Sequence, residues 1–265
     1  DLPGTREEVR QIVQLFEPSA EIDVLEQTGA SEAALRESLP KSRYVHLATQ
    51  GFFAGAQRPS VLQPRPTDRQ TSGRAEVPFA LMRVRGQEMP QPVLTAITGR
   101  NPLILSGLVL SGANVPPPVN AWGSPIGDDG IFTAEEVVDL DLAGTELVVL
   151  SACETGLGEV AGGEGVFGLQ RAFALAGART VVASLWKVDD AATRALMVEF
   201  YKNLFQKRLG KLESMRQAQL AMLDGKLYNL PSQNGTDQTT EADESGRAAL
   251  PPRLWAAFVL NGDWR

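Results

Sequence analysis

The chain has 265 residues, 43% of them hydrophobic and 22% charged, with a formal net charge of −7. That length suits one large domain with a sizeable core, and the acidic balance lacks the dense cationic face that nucleic acid or an anionic membrane demands. One cysteine and one histidine exclude an internal disulfide and supply no ligand-spaced metal cluster, so no metal or other cofactor is expected.

No apolar run approaches the roughly 20 residues of a membrane span, and DLPGTREEVRQIV at the N-terminus has no signal-peptide pattern. A reducing, cytoplasmic compartment is the resulting expectation. Thr5 with Glu8 three residues on reads as a capping box, followed by Val9, Ile12, Val13 and Phe16 at helical spacing. A helix that starts so early suggests a piece of a longer protein joined at its N-terminus. EIDVLEQTGA follows as a short strand or turn, and Ser31 caps a second helix that carries Leu35 and Leu39 and stops at Pro40.

RYVHLATQG, 43–51, is short, apolar and closed by glycine, the pattern of a buried strand. Residues 54–79 read as a long loop, 101–113 as a second strand region with a kink or turn at Gly107, and 112–129 as another loop. Thr133 caps a short helix through Val138. TELVVLSAC, 145–153, and ARTVVASLW, 178–186, are apolar without alternation, as parallel strands covered on both faces are. Between them a Gly-rich loop leads into a helix from Glu164 to Ala176 that ends at Gly177. Asp189 or Asp190 caps the next helix, which Gly210 ends, and a further helix covers 211–223. Residues 231–248 are poor in apolar side chains and are expected to be a mobile insertion in a single domain over 1–265. LWAAFVLNGD closes the chain as a strand-like segment. Strands alternating with helices make this an α/β fold with a mostly parallel central sheet.

Reactive groups of such sheets gather at the carboxyl ends of the strands. Cys153, Gln50-Gly51 and the run from Trp186 to Asp190 all fall at such ends. A free cysteine is commonly an inert core residue; Cys153 instead precedes a Gly-rich turn and follows the small Ser151 and Ala152, which lets a substrate backbone approach. The run Gly156-x-Gly158-x-x-Ala161 imitates a dinucleotide fingerprint, but the strand ends several residues too early. The loop also carries Glu154, Glu159 and Glu164 against a pyrophosphate and has no lysine. His46 lies inside its strand, about 13 Å of chain before Gln50 at the usual strand rise, which favours a structural histidine.

Seven blocks along the chain resemble the CHAT domain, a caspase-like cysteine peptidase family often attached to tetratricopeptide (TPR) repeats. They are LPGT at 2–5, HLATQG at 46–51, SGLVLS at 106–111, DGIFTAEEV at 129–137, LVVLSACETGLG at 147–158, GGEGVFGLQRAFALAGARTVVASLWKVDD at 162–190 and WAAFVLNGD at 255–263. The resemblance implies a caspase-like α/β/α sandwich and a Cys/His dyad acting on a protein or peptide substrate, with an N-terminal TPR or regulatory region as a neighbour. The dyad cysteine falls on Cys153. The dyad histidine, second in the pattern H-x-A-T-H-G, falls on Gln50, whose amide has no useful basicity. Gln50 fits a natural pseudopeptidase and an inactivated variant alike. The resemblance also implies an oxyanion hole from the Gly51 and Cys153 N–H groups, and a primary specificity pocket walled by Trp186 to Asp190. One of the two aspartates is expected to cap the helix. The other, with Glu154, would favour Lys or Arg before the cleaved bond.

Overall fold

The computed structural model describes residues 3–16, 20–53, 102–115, 117, 119–120, 126–151, 153–154, 164–186, 188–228 and 249–265. The expected loop 54–79, the run 155–163 with its dinucleotide-like glycines, and the insertion 231–248 lie outside them, as does part of 112–129. Asp1–Gly55 and Asn101–Arg265 form one compact unit; the second unit, Ala56–Arg100, lies outside the described residues.

Helix α1, Pro3–Val13, begins with proline at its first position, where the missing N–H costs nothing. Thr5 therefore sits inside the helix rather than capping it, and Glu8 is buried, which corrects the expected capping box. Residues 20–26 form neither helix nor strand, are exposed, and lead through an extended Glu26 into a 3₁₀ turn at Gln27–Gly29. Ser31 does cap α2, Glu32–Ser38, its Oγ accepting from the Ala34 N–H at 3.2 Å, and Pro40 lies in the 3₁₀ turn Leu39–Lys41 that ends it.

The expected strand at 43–51 is two strands, β1 at Tyr44–Leu47 and β2 at Gln50–Phe53. After a 3₁₀ turn at Pro102–Leu105 comes β3, Ser106–Val109. Gly107 is no kink: it is paired within β3, and a Cβ there would fall 2.6 Å from the Phe52 ring and 2.7 Å from the Phe132 carbonyl oxygen. Strand β4, Ile131–Thr133, leads into α3, Ala134–Val138, through a full capping box of Thr133 and Glu136. The strand expected at 145–153 is again two, β5 at Leu147–Leu150 and β6 at Cys153–Glu154.

Helix α4, Glu164–Leu175, is followed by Gly177 at φ +109°, where a Cβ would lie 2.9 Å from the Ala143 nitrogen. Strand β7 is Thr180–Ser184. Helix α5, Asp190–Tyr201, passes into a π-helical turn at Lys202–Gln206, so it ends before Gly210, which instead opens α6, Lys211–Leu223. The closing segment is a short helix, α7 at Pro252–Trp255, and then β8, Phe258–Gly262.

The main sheet has the order β1-β5-β7-β8, with the first three strands parallel and β8 antiparallel at the edge. A second group, β4-β3-β2-β6, is antiparallel except where β2 meets β6. Leu147, Val149, Val182 and Phe258 face one core with Ile12 of α1, Leu196 and Phe200 of α5 and Met215 of α6. Val45, Val148, Leu150, Val181 and Ala183 face the other, with Leu35 of α2, Val137 of α3 and Phe173 of α4. Successive strand residues alternate between two buried faces, which is why β5 is apolar throughout, why β7 is buried along its whole length, and why the layers are helix, sheet, helix. No helix among the described residues is long and apolar enough to cross a membrane.

Because β3 carries β2, crowding at Gly107 is felt next to the strand ends described below. Gly107→Ala is expected to lower stability by about 1–3 kcal/mol, the usual range for overpacking, and the loss should appear as a lower urea midpoint at unchanged slope.

Candidate active site

Two parallel ladders bring the predicted residues together. Tyr44 pairs with Leu147 and Leu47 with Leu150; after the break, Gln50 pairs with Cys153 and Gly51 with Glu154. The sequence offset is 103 in every one of these pairs, so β2 and β6 resume the register that β1 and β5 set. Neighbouring strands lie about 4.8 Å apart, which makes position 50 the immediate cross-strand neighbour of the lone cysteine. Gly51 is buried and is flanked by Glu154 on one side and Leu108 on the other.

Between β1 and β2 the chain leaves regular strand at Ala48 and Thr49, and side chains join the backbone contacts there. The Ser151 N–H still donates to the Leu47 carbonyl at 3.0 Å. The Thr49 hydroxyl donates to the Val109 carbonyl at 2.6 Å, tying the break to β3. The Ser151 hydroxyl donates to Glu8 Oε1 at 2.8 Å, and His46 Nε2 lies 3.0 Å from that same oxygen. His46 Nδ1 is 3.1 Å from the Tyr201 hydroxyl. A carboxylate only accepts, so Nε2 carries the hydrogen; in the neutral ring Nδ1 then accepts from Tyr201. Both nitrogens of the sole histidine are therefore engaged, and His46 stands opposite Val149, four residues before Cys153. It is a structural histidine, as its place inside the strand suggests.

Sequence reasoning missed Glu8, Ser151 and Tyr201. The signal for Glu8 was present: it shares a helical face with Ile12 and Leu15, a core-facing place for a carboxylate. Its assignment to a local cap hid that.

The third strand end is that of β7. Trp186 is partly exposed, and its Nε1–H donates to the Arg253 carbonyl at 3.0 Å. Asp189 is the N-cap of α5: its Oδ1 accepts from the Ala191 and Ala192 N–H groups and from the Tyr228 hydroxyl, at 3.0, 3.1 and 3.1 Å. Asp190, the first residue of the helix, packs against α1, where a Cβ on Gly4 would meet its Oδ2 at 2.7 Å. The glycine of LPGT thus allows α1 to rest on the start of α5.

A further acidic group lies at the β4 turn. Buried Glu32 accepts from the Gly130 N–H at 2.6 Å and pairs with Arg36, which also binds Asp128 and Glu136. Burial first, then the charges of Glu136 and Asp128, raise the Glu32 pKa despite the opposing Gly130 and Arg36 contacts. These contacts fix the turn that starts β4, and β4 in turn holds β3 and β2. Among the described residues, no group of His, Cys, Asp and Glu is arranged to hold a metal ion.

A family model described as "CHAT domain" matches residues 1–263. Tetratricopeptide repeat protein 28 of Homo sapiens is 30% identical over 132 residues, 50% of this chain and 4% of that protein. The protein of the same name from Mus musculus is 34% identical over 132 residues, with the same shares. The matched stretch is thus half of this chain and a small fraction of the length of either relative.

Each of the three tyrosines holds its proton more tightly than usual. Burial is the first cause in all of them, followed by the Glu8 charge at Tyr201, the Glu146 contact at Tyr44 and the Asp189 contact at Tyr228. A folded pKa above the unfolded value near 10 means that the unfolded chain releases the proton first. Stability is accordingly expected to fall as pH rises above about 10. Spectrophotometric titration should show no tyrosine ionising at the ordinary value, with the Tyr201 phenolate emerging only as the protein unfolds.

Proposed function

The chain belongs to the CHAT domain family, and on that footing we propose that it carries a caspase-type cysteine endopeptidase site built from Cys153 and position 50, left without its base by Gln50. The observation that carries this reading is the register pairing of Gln50 with Cys153. In it, Cys153 attacks the carbonyl carbon of a peptide bond and the Gly51 and Cys153 N–H groups hold the oxyanion. The proton of the thiol would go to a histidine at position 50, which would return it to the leaving amine. A glutamine amide can hydrogen-bond there but cannot accept that proton, so the chain as it stands turns over little or no peptide. His46 offers no substitute, since Glu8 and Tyr201 occupy both its nitrogens.

General acid–base catalysis is worth about 10²–10⁴-fold. Gln50→His is therefore expected to raise peptide hydrolysis by at least about 10²-fold over the parent, and Cys153→Ala in that background to abolish it. Absence of proteolysis and of Cys153 labelling by peptide electrophiles in the Gln50→His protein would sink the peptidase reading.

The same site is proposed to prefer a basic residue before the cleaved bond. Asp189 and Asp190 are exposed and follow Trp186 after the end of β7, and among the described residues the hydrogen bonds to Asp189 fall on Oδ1. Glu154 follows the cysteine in sequence and adds a further negative charge. With the Gln50→His protein, Arg- or Lys-ending peptides are expected to be cleaved faster than Asp-ending ones; a clear preference for Asp overturns this assignment.

Gln50 itself favours a second reading, a non-catalytic pseudopeptidase that binds a protein partner or an attached TPR region. The names of the two relatives support the TPR neighbour. A Gln50→His protein that stays proteolytically silent yet binds a TPR array with the parent's affinity would favour this second reading over the first.

A further inference from the structure

The lapse between the two ladders is the weak point of the site. Strand β1 ends at Leu47 and β2 begins at Gln50, while β5 ends at Leu150 and β6 begins at Cys153, so both strand lines are interrupted just before positions 50 and 153. Whatever spans this gap sets how closely the register of β1 and β5 is handed on to β2 and β6.

Glu8 spans it from outside the sheet. One oxygen of its carboxylate receives Ser151, two residues before Cys153, and His46, four residues before Gln50. His46 stands on β1, Ser151 directly follows its neighbour β5, and the acceptor stands on α1. Glu8 is 4% exposed and Ser151 8%. In so dry a place a carboxylate without donors is costly, and a hydrogen bond to it is worth more than a neutral one. Tyr201 closes the arrangement from α5 by its hydroxyl contact to His46. Helix α1 is also seated where Gly4 meets Asp190, next to the β7 strand end.

We propose that Glu8 is a positioning residue: through Ser151 and His46 it locks the ends of the two parallel strands, and so holds position 50 opposite position 153. As a consequence, a displacement of α1 is transmitted to the site. The proposal rests on reading positions 50 and 153 as the reactive pair, but its test needs no turnover.

The test is backbone hydrogen exchange, read by mass spectrometry, on the native chain and on Glu8→Ala, Glu8→Gln and Ser151→Ala. A hydrogen bond to a charged group is worth enough to change local opening by about tenfold. Glu8→Ala is expected to speed exchange at 50–51 and 153–154 by about that factor while α6 keeps the parental rate. Ser151→Ala, which removes one donor, should give the same pattern more weakly. Glu8→Gln keeps an oxygen that can accept from both donors and should return the ladder close to the parental rate. Unchanged exchange at the ladder in Glu8→Ala, or an equal rise in the ladder and α6, overturns the proposal. If Glu8→Ala does not fold, Ser151→Ala decides alone, and the absence of a selective rise there overturns it. Proteolytic silence of the Gln50→His protein would count against the peptidase reading and leave this outcome untouched.

Discussion

A parallel ladder, once registered, fixes the neighbours of every residue that follows on both strands. Here the pairing of Tyr44 with Leu147 dictates that Gln50 meets Cys153, although β1 and β2 are separate strands, as are β5 and β6. The register is in turn enforced by burial on both faces. A slip of one residue would exchange Val148 and Leu150 with Leu147 and Val149 between two cores that are packed by different helices. The site is thus placed by side chains with no chemistry of their own.

Burial on both faces also explains why the few polar groups in this layer are so fully engaged. Thr49, Ser151, His46, Glu8 and Tyr201 all lie where the sheet changes from one strand pairing to the next, and each has a named partner. An unpartnered polar group there would cost more than the hydrogen bond itself contributes. Strand interruptions expose backbone groups to just this penalty, and side chains that span the interruption remove it. The geometry is consistent across levels: α1 brings a carboxylate, the sheet brings two donors, and α5 brings a hydroxyl that completes the histidine.

Much of the fold was legible because its signals are local. Ser31 and Thr133 cap the helices they precede, and the apolar runs at 147–150 and 181–183 lack alternation because both faces are covered. The candidate pair was legible through motif resemblance and strand-end placement. What escaped was decided by partners distant in sequence. Glu8 three residues after Thr5 has the spacing of a capping box, yet Ser151 and His46 claim the carboxylate and the helix begins at Pro3 instead. Gly107 resembled a kink because glycine breaks strands, whereas the residue is small to admit the Phe52 ring and the Phe132 carbonyl. The apolar runs 43–51 and 145–153 hid their interruptions, since composition says nothing about where a ladder lapses. At 189–190 one aspartate was expected to cap the helix, and sequence alone did not say which; Asp189 caps α5, while Asp190 lies against Gly4 of α1.

The division of labour around position 50 has a physical consequence. The contacts that hold the strand ends run through Glu8, Ser151, His46, Tyr201 and Thr49, and none of them uses the side chain at position 50. A histidine and a glutamine there differ in basicity far more than in size or hydrogen-bonding capacity. Exchanging one for the other removes the ability to carry a proton without withdrawing any of these contacts. On the reading proposed above, placement and proton transfer are thus separable. A chain of this kind can lose its base and still present the cysteine backbone, the adjoining glycine and the acidic end of β7 in unchanged relation, which is the condition under which the site can keep recognising a partner that it no longer cleaves.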